Sequence, residues 1–224
     1  NEAEHVLYSP KEYSQGVFII TDRVREAIQA IKPDAVVMGE TTSGPISRHW
    51  HGGLSADFAW LANQNQHRII ASPVRYGVPE ITIFGNGRNL NELNQIFAAG
   101  HSLALSNADL PMALYIKRLV DIRQEYKDAL IYGSQLYQPE TGDPDVAAYF
   151  YRGKYNDLIT VVNASMERAY SGQLRLNEGT ITSRWRDLIT DDVLETSGDR
   201  LFLKVLPKEL RILLREKSGE KTIL

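Results

Sequence analysis

From about residue 130 onward, no segment repeats its apolar residues at helical spacing. Short alternating segments are instead separated by turn signals at intervals of roughly 8–12 residues. The turn signals are Pro139-Glu140-Thr141-Gly142-Asp143-Pro144, Arg152-Gly153-Lys154, Ser171-Gly172, Asn177-Glu178-Gly179 and Ser197-Gly198-Asp199. Between them lie residues 147–151, 157–163, 173–176, 185–189, 201–205 and 210–214, each rich in Val, Ile, Leu, Tyr or Phe. So many short strands in one stretch constrain it to an antiparallel β-sandwich, whose two layers bury each other's apolar faces.

The first part of the chain reads differently. From Thr21, the residues Val24, Ala27, Ile28 and Ile31 recur at helical spacing, with Thr21 or Asp22 available as a cap and Pro33 as a stop. Residues 35–39, Ala-Val-Val-Met-Gly, form a continuous apolar run of the kind covered on both faces in a parallel sheet. Residues 68–72 and 80–85 read as further strands, and residues 90–99 as a helix with Leu93, Ile96 and Phe97 on one face. The clearest helix covers residues 112–126, with Ile116, Leu119, Val120, Arg123 and Tyr126 spaced by threes and fours. The two parts join through Ile131-Tyr132-Gly133 with no Gly/Ser linker, which predicts rigid docking.

Charge and composition narrow the chemistry. Twenty-five basic against 28 acidic residues, with no Lys/Arg block, favour no polyanionic partner and so no nucleic acid. The absence of Cys excludes disulfides, zinc–thiolate sites and a cysteine nucleophile, and leaves the compartment open. The longest apolar runs, such as residues 17–20, fall far short of the ~20 residues that cross a bilayer, so no membrane span is expected. Asn1 is followed by neither a basic segment nor an apolar core, which suggests a processed, truncated or excised chain.

The strand with Val161-Val162-Asn163-Ala164-Ser165, the segment Trp185-Arg186-Asp187-Leu188-Ile189-Thr190 and the final Leu201 to Leu213 pair resemble the closing sandwich of amylase-like and galactosidase-like glycoside hydrolases. Residues 31–40, Ile-Lys-Pro-Asp-Ala-Val-Val-Met-Gly-Glu, are similar to the helix-to-strand junctions of glycosidase barrels, where a carboxylate ends the strand. The resemblance implies an α/β plus all-β chain: the C-terminal part of a (β/α) barrel over residues 1–130, then an antiparallel β-sandwich over residues 131–224. A full barrel takes about 250 residues, so an upstream segment or chain would complete it.

Glu40 stands where such barrels build their active sites, at the C-terminal end of a strand. Glycoside hydrolysis uses two carboxyl groups, and Asp57 is the nearest second candidate, although Leu54, Phe58 and Leu61 around it equally suit the first turn of a helix. The loop from Thr41 to Gly53 holds Arg48, His49, Trp50 and His51, a mixture suited to a sugar: an aromatic face for the ring's C–H surface and polar groups for its hydroxyls. Arg75, Tyr76, Asn86, Arg88 and Asn89 would face the same mouth, as orienting groups or as ordinary loop residues. His49-x-His51 lacks a third metal ligand at recognisable spacing, and Gly85-Asn86-Gly87 lacks the spacing of a phosphate cradle and reads as a simple turn, so no metal and no cofactor are expected. The two readings are a glycosidase acting on a carbohydrate substrate and a non-catalytic carbohydrate-binding or scaffolding module completed by another chain.

Overall fold

A computed structural model describes residues 10–39, 49, 51–55, 82–105, 108–177 and 183–216. Helix α1 (Pro10–Ile31) leads to strand β1 (Met38–Gly39), then β2 (Gly52–Ser55), β3 (Thr82–Gly87), α2 (Leu90–Ala98), β4 (Ser102–Leu105), α3 (Leu110–Glu125) and the single turn α4 (Lys127–Leu130). Eight strands follow: β5 (Ser134–Tyr137), β6 (Val146–Arg152), β7 (Asn156–Asn163), β8 (Tyr170–Arg175), β9 (Arg184–Asp187), β10 (Val193–Ser197), β11 (Arg200–Val205) and β12 (Leu210–Glu216).

The first four strands are parallel and lie side by side in chain order, β1-β2-β3-β4. Parallel neighbours need a crossover, and α2 supplies it between β3 and β4. Among the described residues this sheet is open and closes no barrel. The last eight strands form an antiparallel sheet of order β5-β6-β7-β12-β9-β10-β11-β8. It curls into two layers because β10 changes partner midway: Val193–Glu195 pair with β9, while Thr196 and Ser197 pair with β11.

Inside the curl, Val146, Ala148 and Phe150 of β6 meet Ile159, Val161, Leu174, Trp185, Leu201, Leu203 and Leu213. The intervening residues of the same strands, Ala147, Tyr149, Tyr151, Leu158, Val162, Ile212 and Leu214, form a second core with Ile96, Phe97, Leu119, Ile122, Ala129 and Leu130 of the helices. Strands β6, β7 and β12 are therefore buried on both faces, so the alternation expected of this region does not hold for them.

Polar groups fix the docking of helix on sheet. Tyr151 and Thr160 both donate a hydroxyl to the carbonyl of Ala98 at 2.7 Å. Asn94 donates to the Lys208 carbonyl at 2.7 Å, and Asn91 to the Ala164 carbonyl at 3.2 Å. Gly100, at φ +78°, turns the chain out of α2 where a Cβ would stand 2.8 Å from the Tyr151 hydroxyl. Across the sheet, Arg211 makes a buried ion pair with Asp187, whose carboxylate also accepts from the amides of Ile189 and Thr190. A buried pair so enclosed keeps both charges hydrogen-bonded away from water.

Several sequence expectations are corrected here. Helix α1 starts at Pro10, not Thr21, and the Thr21 hydroxyl donates to the Val17 carbonyl at 2.8 Å from inside the helix. The strand expected over residues 35–39 is reduced to Met38–Gly39, and Val36 and Met38 are exposed rather than covered. Val120 is exposed, and Ile122 takes its place in the core. Ser171-Gly172 is no turn but part of β8, where the missing side chain of Gly172 makes room for the Tyr170 ring. Gly85-Asn86-Gly87 is the end of β3, and its glycines let Ile96 and Leu93 of α2 lie against the strand. The strand expected over residues 68–72 lies outside the described residues.

Candidate active site

Parallel strands present all their C-terminal ends on one side, so β1, β2 and β3 deliver the chain segments after Gly39, Ser55 and Gly87 to a common edge. Gly39, Gly53 and Ile83 share one rung of the ladder. Gly87 lies four residues further along β3, about 13 Å of strand, so Arg88 stands well above the rung at which β1 ends.

Of the residues singled out in the sequence, Glu40, Arg48, Trp50, Asp57 and Arg75 lie outside the described residues, as does the side chain of Asn86. His49, His51 and Arg88 can be placed. His49 stacks on Phe18 of α1, with ring centroids 4.8 Å apart. Its Nδ1 is 2.8 Å from Asp22 Oδ2. A carboxylate accepts only, so that ring nitrogen carries the hydrogen. Arg25 completes the knot, pairing with Asp22 at 3.0 Å and donating to the His49 carbonyl at 3.2 Å.

His51 has the opposite tautomer. Its Nδ1 accepts from the Val37 amide at 3.1 Å, so Nε2 carries the hydrogen, and the Gln29 side chain 3.0 Å away accepts it when that amide presents its oxygen. Both imidazoles thus fasten the β1–β2 connection to α1. The helix residues involved, Phe18, Asp22, Arg25 and Gln29, recur at spacings of four, three and four, which places them on one helix face. The sequence reading missed them as partners. Their spacing is the available signal, overlaid by the apolar stripe of the same helix.

Arg88 is exposed and precedes a cap that sets the direction of α2. Asn89 accepts from the Glu92 amide at 3.0 Å, while the buried Glu92 carboxylate accepts from the Arg88 amide at 2.7 Å and the Asn89 side chain at 3.0 Å. This reciprocal arrangement satisfies donors that the helix start would leave open. Among the described residues, no group of three or more His, Asp or Glu is placed to hold a metal ion.

No protein-family model matches the sequence, and no curated protein matches it. Solved structures share its fold. The Anoxybacillus α-amylase superposes with a TM-score of 0.68 at 12% identity over 91% of this chain and 57% of its own. The α-amylase from H. orenii gives 0.65 at 12% identity over 96% of this chain and 59% of its own. A β-L-arabinopyranosidase from Geobacillus stearothermophilus gives 0.62 at 11% over 92% and 55%. The chain spans less than two thirds of the length of these structures. The fold, a parallel α/β portion followed by a curled antiparallel sheet, is the one shared with these solved structures.

Proposed function

We propose that the chain is part of a glycoside hydrolase that cleaves O-glycosidic bonds in a carbohydrate, with residues 1–130 forming the end of its catalytic barrel and residues 131–224 the closing sandwich. The observation that carries this reading is the fold shared with amylases and an arabinopyranosidase along nine tenths of the chain.

In this reading Glu40, the residue after β1, serves as one of the two carboxyl groups the reaction needs, and Asp57, two residues beyond β2, is the first candidate for the other. One carboxyl group protonates the departing oxygen while the other attacks the anomeric carbon or activates water. Trp50 offers a face to the sugar ring, and Arg48, Arg75, Asn86 and Arg88 meet hydroxyls. His49 and His51 contribute by holding the loop that carries Arg48 and Trp50 against α1, which spares that loop an ordering cost on binding. No step needs a metal or cofactor.

The test is turnover of aryl glycosides by the natural-length protein and its Glu40→Gln variant. A loss of at least about 100-fold in kcat with the fold retained is expected for a carboxyl group that transfers a proton or attacks. Undiminished turnover removes Glu40 from the site. Binding of oligosaccharides by a protein that turns none over favours the carbohydrate-binding or scaffolding module.

A further inference from the structure

Strand β5 parts from β6 after Tyr137, and the loop that follows crosses to β8, where Glu140 bridges Arg175. The split leaves a recess of about 460 Å³ between that loop and β6, within the range of about 300–1,000 Å³ usual for small-molecule sites. Its base is apolar, from the buried Val146 and Ala148, and Gln138 and Glu140 bring polar groups to its lining. The loop is fixed before any ligand arrives. Pro139 and Pro144 lock its backbone, the Thr141 hydroxyl reaches the Asp143 and Val146 carbonyls at 3.0 Å, and the Tyr170 hydroxyl lies 2.9 Å from the Thr141 carbonyl. The two carboxylates of the lining each have a guanidinium beside them: Arg168 pairs with Asp143 at 3.0 Å, and Arg175 stands 3.8 Å from Glu140. Charges matched in this way suit a polar ligand that carries none.

The strand register joins this recess to an aromatic side chain. Arg175 pairs with Glu140 on one side and with Arg200 on the other, and Gln173, two residues along β8, pairs with Phe202 of β11. Cross-strand partners share a face of the sheet, as do residues two apart, so Glu140, Arg175, Arg200, Gln173 and Phe202 all lie on one side. That side is the outer one, since Leu174, Leu201 and Leu203 between them are buried in the inner core and Phe202 is 55% exposed. Two strand spacings, about 10 Å, separate Phe202 from the loop that walls the recess. A single exposed apolar residue is ordinary on a protein surface, but this one is framed by hydrogen-bonding groups: Arg200 donates to the Gln173 side chain at 3.0 Å, and Arg175 pairs with Asp199 at 3.2 Å. A flat ring beside fixed amide and guanidinium groups matches the C–H face and the hydroxyls of a sugar.

From the recess and this row we infer that the antiparallel region carries a binding site for a neutral oligosaccharide. One sugar unit enters the recess between residues 138–144 and β6, and a following unit lies on the Phe202 ring, where Gln173 and Arg200 meet its hydroxyls. The choice of a carbohydrate rests on the glycosidase reading. The site itself uses no residue before Gln138, and its test reads binding rather than turnover, so either can fail alone.

The experiment is an amide NMR titration of the 224-residue protein with maltotriose, cellotriose and xylotriose, each taken to about 20 mM, above the Kd of about 1 mM expected for an open site. At least one of the three should move the amides of residues 138–148 together with those of Gln173 and Phe202. Phe202→Ala should weaken that sugar at least about fivefold while Phe202→Trp keeps it, and both should leave the thermal midpoint within about 2 °C, because the ring is on the surface. Glu140→Gln should weaken it about threefold by removing a charged acceptor. No movement at these residues with any of the three sugars, or an unchanged affinity in Phe202→Ala, overturns the inference. Movement confined to the strand ends of the parallel sheet also overturns it and leaves the glycosidase reading standing. Binding at the recess by a protein whose natural-length form turns over no aryl glycoside supports this site and sinks that reading.

Discussion

Strand β7 and strand β1 both come from apolar segments of the sequence, yet they end in opposite situations. β7 is flanked by β6 and β12, covered on one face by Phe150, Trp185 and Leu213 and on the other by α2 and α4, all from within the chain. β1 has one neighbour, and its Met38 faces outward. Antiparallel strands find partners through short turns, so the second region closes its inner core from its own strands and leaves its outer face to the helices. Parallel strands need partners a helix away, so the first region is only as complete as the crossovers on either side of it. Local pairing lets the antiparallel region close its own sheet and inner core, with the helices before it covering the outer face, and leaves the parallel region dependent for its strand partners on what surrounds it.

That contrast can be broken most directly at Trp185. It is fully buried inside the curl, meets Phe150 edge-on at 6.2 Å and lies under the Arg215 guanidinium at 4.8 Å. Trp185→Ala should cost about 3–5 kcal/mol in urea unfolding. If amide protection in α2 survives when the curled sheet is lost, the two regions are energetically separate and the contrast is wrong in kind. A smaller effect is expected from Tyr151→Phe combined with Thr160→Val, which strips both hydroxyl donors from the Ala98 carbonyl. The cost should be about 1–3 kcal/mol, and hydrogen exchange should quicken in α2 before it does in β6 or β7. Exchange that quickens evenly would mean the hydroxyls support the sheet rather than the helix.

Asn89→Ala should remove about 1 kcal/mol by opening the α2 cap, with the change confined to the first turn in an amide exchange profile. The smallest effect belongs to Tyr115, which donates to Asn94 across the α3–α2 contact at 2.7 Å. Burial pushes its hydroxyl up to about 12 from 10.0, against the smaller downward pulls of the Asn94 hydrogen bond and of Arg118. A pKa raised in the folded state contributes stability that is complete below the unfolded value and vanishes as pH climbs through the folded one. Stability should therefore decline between pH 10 and 12, and Tyr115→Phe should make that decline shallower. An unchanged slope would show that the hydroxyl is as well hydrated folded as unfolded.

The antiparallel region is the more legible in sequence for the same reason that it closes its own sheet. Turn chemistry and strand composition are local, so six of its eight strands stand out directly. Strand β10 escaped because Val193-Leu194-Glu195-Thr196-Ser197 has two apolar residues in five and only Thr196 buried. Strand β5 escaped because its one buried residue, Gln135, is polar. In the parallel region, periodicity identified which residues of α1 share a face but not which face meets protein, since Asp22 finds His49 only through a contact 27 residues away. The candidate site was read from its position after β1 and from residue types alone. Only the histidine knot and the α2 cap could be drawn from the structure.

Helix α2 has a consequence for anyone who would cut this molecule in two. The chain changes character near Tyr132, and a clone boundary there looks natural. Yet Ile96 and Phe97 lie in the same cluster as Tyr149 and Ile212, and two hydroxyls from the far side are spent on one carbonyl of the helix. A fragment starting at residue 131 would carry β6, β7 and β12 with one face stripped to water, and should clump on expression. A fragment starting ahead of Asn89 would bring its own lid. The seam visible in the sequence and the seam at which the protein can be parted lie some forty residues apart.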